Sequence, residues 1–486
     1  MFSGTTPSEQ YLARLCKRSF LSLWSFPNVF NDDGITGSYK LGKEVCDLLV
    51  VFGSDVIIFS DKSCSFKDTG RLAVDWNRWY KKSIIKSADQ IYGAERWIKK
   101  FPGRLFLDPE CKIKFPIDIP EGDKIRVHRV AVAVGAKEPC RAFYKGGSGS
   151  LRIVTDQDPV MHSDAEIYKA FTVGYFDEKK GYVHVFDDVT LDIVMRELDT
   201  ISDFCAYLRK KEELIARCVV RAGGEEELLT RYLTSMDNDE EHGFAIPEGN
   251  LISVNVEEGH WDNYKNSYRH ETRKNENYVS YIWDNLIEYF NNTVRSGKIT
   301  EPISLNDYER GVRRMASVSR VERRMIGRKL KDVFENTPPN ATRFSAILTG
   351  RDLDLAFPIV LLPPIEGVPY EEYQLVRREL LAAYASIIKL KNPQVREAVG
   401  IAMEPRQIGR GGSEDIGFFD FTTWTDDQAR QAAEDQKRLR IVAAATLTRE
   451  YEYPDDAGKN RASNSAEARR RRRQMERAKK RLNSSH

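Results

Sequence analysis

From Asp47 to Lys62 the chain reads DLLVVFGSDVIIFSDK, an acid followed by two apolar runs and then Ser60-Asp61-Lys62. The runs, roughly 47–52 and 55–61, are separated by Gly53-Ser54, which predicts an antiparallel hairpin with a tight turn. Side chains alternate faces along a strand. Ser60 and Lys62 therefore share one face, and Asp61 takes the other unless the strand twists or ends there. A carboxylate at the start of one strand and a lysine at the end of its partner converge on one spot. Carboxylate oxygens are the usual protein ligands of Mg²⁺. An adjacent ammonium can position an attacking water or stabilise charge on a phosphate. Metal-assisted phosphodiester cleavage needs hard ligands, a cation and a polarised water.

These residues need a scaffold, and the flanking sequence supplies one. Residues 8–24 place Leu12, Leu15, Phe20 and Leu23 near one face of a helix. FPNVFNDDGITGS reads as a loop, being rich in Pro, Asn, Asp and Gly. Residues 74–101 form the clearest helix, with Trp76, Trp79, Ile84, Ala88, Ile91, Ala94 and Ile98 on one stripe. Lys81, Lys82 and Lys86 lie mostly off that stripe. Residues 124–136 read as a buried strand. The order is helix, strand, strand, helix, strand. Trp76 and Trp79 read as packing residues rather than base-stacking platforms.

At these positions the chain resembles the PD-(D/E)xK nuclease superfamily, in particular its nuclease-related-domain and Mrr-like branches. The superfamily pattern is a Glu on the first helix, an Asp opening a strand, Glu-x-Lys on the next strand, and often a helix bearing a Gln. Asp47 matches the strand Asp, and Lys62 the lysine. The resemblance implies that Glu44 stands in for the helix Glu and Gln90 for the helix Gln. It covers about 130 residues of the chain. One departure is plain: Ser60 stands where the central Glu belongs, and Ser is no charged ligand for Mg²⁺. Asp61 takes over that role if the strand end turns; otherwise the domain binds without cutting. The implied function is a Mg²⁺- or Mn²⁺-dependent nuclease acting on DNA or RNA. Asp47, Asp61, Lys62 and Gln90 are its catalytic residues, and Glu44, Asp47 and Asp61 its metal ligands. The alternative is a catalytically inactive nucleic-acid-binding or protein-interaction module on the same fold. A role in bacterial restriction or defence is implied by analogy alone.

The fold class expected is α/β (α+β): a restriction-endonuclease-like αββαβ core, a second α+β domain, and a disordered or helical basic tail. The domains expected are 1–150, a mixed middle region 151–318, an α+β domain 319–440 and a tail 456–486. In the later part, GYVHVFD, RFSAILTG, DLAFPIVLLPP and REAVGIAME read as strands. LDIVMRELDTISDFCAYLRKKEELIARC, SRVERRMIGRKLKDVFENT and YEEYQLVRRELLAAYASIIKL read as helices. The 486-residue chain has a formal charge of +2. From Gly458 onward eleven Lys/Arg face two Glu, a net of +9 that leaves −7 on the rest. The tail, including Arg470, Arg471, Arg472 and Arg473, reads as a sequence-independent phosphate contact, as does the face carrying Lys81, Lys82 and Lys86.

Seven cysteines lie scattered without a CxxC pair, which argues against a disulfide framework or zinc ribbon and for a reducing cytoplasm. No apolar run spans a membrane, and the N-terminus lacks the charged-then-apolar pattern of a signal peptide. A homo-oligomer or a partner protein stays open. His260, His270 and Glu271 have no partner at metal-ligand spacing. GRGGSEDIG reads as a glycine loop, since it lacks the Lys-Ser/Thr ending of a P-loop.

Overall fold

The computed structural model describes residues 6–20, 24–35, 40–177, 179–235, 242–244, 253–295, 305–350, 353–405, 414–441 and 452–453. The chain divides into two compact units, one over 1–264 with 291–297, the other over 265–290 and 298–486. It is a mixed α/β protein. No helix among the described residues is long and apolar enough to cross a membrane.

The first unit opens with α1 (Pro7–Phe20), β1 (Ser25–Asn31), β2 (Lys43–Phe52) and β3 (Asp55–Ser63). The hairpin forms as its pattern predicts, with Gly53 at φ 61° in the turn, a conformation that favours glycine. The stretch expected as a loop contains β1, which pairs antiparallel with β2. Its Val29 is fully buried, so an apolar anchor outweighs the turn-forming residues around it. The long helix is α2 (Leu72–Tyr80), a π turn (Lys81–Ile85) and α3 (Lys86–Lys100). It buries Trp76, Trp79, Ile84, Ala88, Ile91 and Ile98. The indole N–H groups of Trp76 and Trp79 donate to the carbonyls of Pro159 and Cys64, so both are packing residues. The helix carries the chain over to β4 (Arg126–Val134), parallel to β3.

After α4 (Lys137–Phe143) come β5 (Arg152–Val154), β6 (Thr172–Val173) and β7 (Val183–Asp187). The main sheet runs β1-β2-β3-β4-β7, with the last pair parallel. The region expected as one helix after β7 is two, α5 (Thr190–Glu197) and α6 (Ile201–Arg217). Thr200 explains the break: its hydroxyl accepts from the Asp203 amide and starts a new helix. Then β8 (Val219–Ala222), α7 (Glu225–Thr234) and β9 (Ser253–Val256) follow, and a smaller sheet runs β6-β5-β8-β9.

α8 (His260–Lys265), α9 (Tyr268–Asn277), α10 (Tyr281–Arg295) and α11 (Leu305–Ala316) lead toward α12 (Arg320–Glu335). Ser319 and Glu322 form a capping box on α12. The second unit then builds β10 (Arg343–Thr349), β11 (Leu355–Leu361), α13 (Tyr370–Lys391), β12 (Glu397–Met403), β13 (Asp415–Asp420) and α14 (Asp426–Leu439). Its sheet runs β10-β11-β12-β13, with β11 and β12 parallel around α13. Ala356, Val360, Leu381, Ala385 and Ala398 fill the space between helix and sheet. The glycine loop at 409–413 and the basic tail, Arg470 to Arg473 included, lie outside the described residues.

Candidate active site at a strand fork

β2 and β3 pair only from Phe52↔Asp55 to Leu48↔Phe59. Beyond that the strands part. β2 continues alongside β1 as far as Asn31↔Lys43. β3 continues alongside β4 through Ser60↔Ala131, Asp61↔Val132 and Lys62↔Ala133. The fork leaves backbone groups without their ladder partners, and a buried amide must find another acceptor. Asp47 sits in the fork and supplies it. The Asp61 N–H donates to Asp47 Oδ2 at 2.6 Å. Lys62 Nζ reaches the same oxygen at 3.4 Å. Asp47 is thus buried, yet anchored by an amide and an ammonium.

The alternation along the strands sorts the other residues. Asp47, Ser60 and Lys62 belong to the face covered by α3. There Ser60, fully buried, bonds through its hydroxyl to Gln90 Oε1 at 3.0 Å. Phe59 and Asp61 belong to the opposite face, where Phe59 packs near Phe20 of α1. β3 stays in register with β4 to Ser63, so the strand neither turns nor ends before Asp61. The expectation that Asp61 swings into the vacant Glu place is corrected on this point: the β4 ladder holds it on the α1 face. Glu44 is on β2 rather than on a helix, and shares that second face with Asp61.

A carboxylate of α1 also reaches this group, that of Glu9, which the sequence reading missed. It closes a capping box with Thr6: the Thr6 N–H donates to Glu9 Oε2 and the Glu9 N–H to the Thr6 hydroxyl, both at 3.2 Å. Asn28 joins the group from β1, held at φ 51°. Its amide nitrogen lies 3.4 Å from both Glu9 Oε2 and Glu44 Oε1. The Thr-x-x-Glu spacing at 6–9 was the available signal for Glu9. Nothing local marks Asn28.

Burial and neighbouring charge raise two of these carboxyls, Asp61 and Glu44. Burial, with Asp47 and Glu9 nearby, pushes the Asp61 carboxyl up to about 6; Ser8 and Lys62 pull the other way. Both Asp61 oxygens are buried without a hydrogen bond of normal geometry. Glu44 is exposed as a residue, but partial desolvation of its carboxyl and the charges of Asp47 and Glu9 raise it as well. The acids at the fork offer oxygen donors alone, the kind that suits a hard divalent cation such as Mg²⁺ or Mn²⁺: Asp47 from the α3 side, and Asp61, Glu44 and Glu9 from the α1 side.

Lys81, Lys82 and Lys86 are all exposed. The π turn matters to their alignment, because the Lys86 N–H donates to the Lys81 carbonyl five residues back. Lys86 therefore stands one turn above Lys81, and Gln90 one α-turn further. The exposed row Lys81–Lys86 leads along the helix toward the side chain that touches Ser60.

Comparison with known proteins finds no matching family model, no matching curated protein and no matching solved structure.

Proposed function

We propose that this chain is a Mg²⁺- or Mn²⁺-dependent nuclease with a restriction-endonuclease-like core, hydrolysing phosphodiester bonds of DNA or RNA. One observation carries the reading. Asp47 occupies a strand fork, bound to Lys62, beside the buried Asp61 carboxylate, whose oxygens make no hydrogen bond of normal geometry. The chain order supports it, since α1, the β2–β3 pair, a helical crossover and a parallel β4 follow the αββαβ pattern.

Asp47, reaching into the fork, and Asp61, from its α1 face, would hold the metal between them, with Glu44 and Glu9 able to complete its surroundings. When bound, the ion polarises a phosphoryl oxygen and lowers the pKa of a coordinated water. Lys62 sits about one-third exposed, its ammonium oriented by Asp47. That places a fixed positive charge at the mouth of the fork, where it can orient a water or offset charge on the phosphorane-like transition state. Gln90 fixes Ser60 and so the end of β3. The Lys81–Lys86 row and the basic tail supply backbone contacts that position the nucleic acid without reading its sequence.

Ser60 favours a second reading. A fully buried hydroxyl bonded to Gln90 stands on the lysine's own face, where the superfamily pattern has an acid. On this reading the domain binds nucleic acid and does not cut it. Incubating the full chain with single- and double-stranded DNA and RNA in Mg²⁺ or Mn²⁺ separates the two. Cleavage that Lys62→Ala reduces by roughly 10²–10³-fold, in folded protein, supports the nuclease. Salt-sensitive binding without cleavage in either metal rejects it in favour of the binding module.

A further inference from the structure

The opposite end of β3 holds a cluster that the hydrolytic reading does not use. Asp55 opens β3, and His128 lies on neighbouring β4, whose ladder sets Ile57 beside it. Cys205 comes from α6, which covers this side of the sheet by packing Phe204 against Phe20 and Phe59. One ligand atom from each of Asp55, His128 and Cys205 lies within 4.8 Å of the other two. His128 is entirely buried, and its Nε2 lies 3.0 Å from Asp55 Oδ1. Arg209 Nη1 also reaches Asp55 Oδ1, at 3.5 Å. The other ring nitrogen of His128, Nδ1, is buried without a hydrogen bond, and Glu212 Oε1 is 3.8 Å from it. Glu212 stands two turns beyond Cys205 on α6, and its Oε1 lies 3.0 Å from His184 Nε2. His184, also buried, likewise leaves Nδ1 unpartnered.

The three atoms converge under α6, with His128 turned so that Nε2 faces Asp55 and Nδ1 faces Glu212. The donor set points to the kind of ion the group would take. A thiol, an imidazole and a carboxylate form the mixed sulfur, nitrogen and oxygen set of zinc, unlike the all-oxygen set at the fork. A carboxylate on the far side of a metal-binding imidazole is the arrangement that fixes its orientation.

We propose that Asp55, His128 and Cys205 bind one Zn²⁺ ion, with Glu212 as the positioning residue behind His128. Zinc bonds of about 2.0–2.3 Å put tetrahedral ligand atoms roughly 3.5 Å apart; Asp55 Oδ1 and His128 Nε2, 3.0 Å apart, already lie within that spacing, and Cys205, inside the 4.8 Å limit, has at most about 1 Å to close. Binding takes Cys205 as the thiolate and His128 as the neutral ring, with their protons released to solvent. Three protein ligands leave one position for water. The ion joins β3, β4 and α6, which makes it a clamp on the first unit, about 20 Å along β3 from Asp61.

The test uses the full chain, stripped with a chelator and titrated with Zn²⁺ alone and Co²⁺ alone. The expected result is one equivalent of either ion competing for the same site, a thiolate-to-cobalt charge-transfer band, and a higher Tm with Zn²⁺. Cys205→Ala removes the band, and His128→Gln weakens binding. Glu212→Gln keeps the stoichiometry and the band but lowers affinity by about 10–100-fold. Should Cys205→Ala not fold, the wild-type measurements stand in: the band, together with zinc protection of Cys205 from alkylation in partly denatured protein, supports the site. Absence of the band in folded wild type, or binding indifferent to Cys205→Ala and His128→Gln, overturns it.

Discussion

The two ends of β3 differ in what their neighbours leave undone. At the Ser60–Ser63 end the sheet forks, a ladder amide loses its partner, and Asp47 takes its place. The result is a group of carboxylates joined by one lysine, partly open to solvent. At the Asp55 end the sheet is covered by α6, and imidazoles and a thiol lie beside the Asp55 and Glu212 carboxylates under an aromatic layer. The open end collects oxygen donors alone, and the covered end adds nitrogen and sulfur to them. Under the two proposals, the same strand would carry a hard site suited to exchangeable ions and a softer site suited to a retained one.

The second unit sharpens the point. Its β10–β11 pair, α13 and parallel β12 repeat the strand-strand-helix-strand order of β2, β3, the long helix and β4. Yet β11 is buried and apolar throughout, ending on Leu361, with no acid or lysine in it. Topology supplies the scaffold, and the residues at the fork supply the chemistry.

The largest effect expected is at Asp47. Asp47→Ala removes the acceptor for the Asp61 amide and the partner of Lys62, so metal-dependent cleavage falls below detection. Stability drops by about 1–3 kcal/mol, for an amide left unpaired in the fork. Urea melts read alongside the cleavage assay check both, and retained cleavage breaks the contrast between the two ends. Asp61 comes next. Its carboxyl titrates at about 6, against an ordinary value of 3.8. The folded state therefore holds the proton more tightly than the unfolded chain, and metal-free stability falls as pH rises from about 4 to 6. Asp61→Asn should stabilise the metal-free protein above pH 6 by up to roughly 3 kcal/mol, with the gain vanishing near pH 4. A difference in Tm that stays constant between those pH values contradicts the burial argument. The smallest effect is on the helix row. Replacing Lys81 and Lys86 with Ala lowers the salt slope of nucleic-acid binding by roughly 2, and an unchanged slope removes that row from the interface.

Much of the scaffold was legible. The hairpin, the long helix and β4 follow from apolar periodicity, and the convergence of Asp47 with Lys62 follows from strand alternation. Three features were not. β1 hides among Pro, Asn and Asp because its identity depends on pairing with β2 rather than on local propensity. The fork that gives Asp47 its role is a fact of register, which a one-strand reading cannot contain. Glu9 looks like a helix cap, and it is one; its closeness to Asn28 and Asp61 depends on where α1 packs. The Asp55–His128–Cys205 group draws on three elements spread over some 150 residues, so no spacing rule marks it.

The most direct measurement is calorimetric titration of Mg²⁺ and Mn²⁺ into the full chain, compared with Asp47→Ala and Asp61→Asn, with cobalt spectra recorded on each. One class of Mg²⁺ binding is expected, abolished by both substitutions and weakening in wild type as pH falls below about 6. The cobalt–thiolate band should stay in place throughout. No Mg²⁺ or Mn²⁺ binding to folded wild type, or binding that survives both substitutions, would contradict a metal site at the fork.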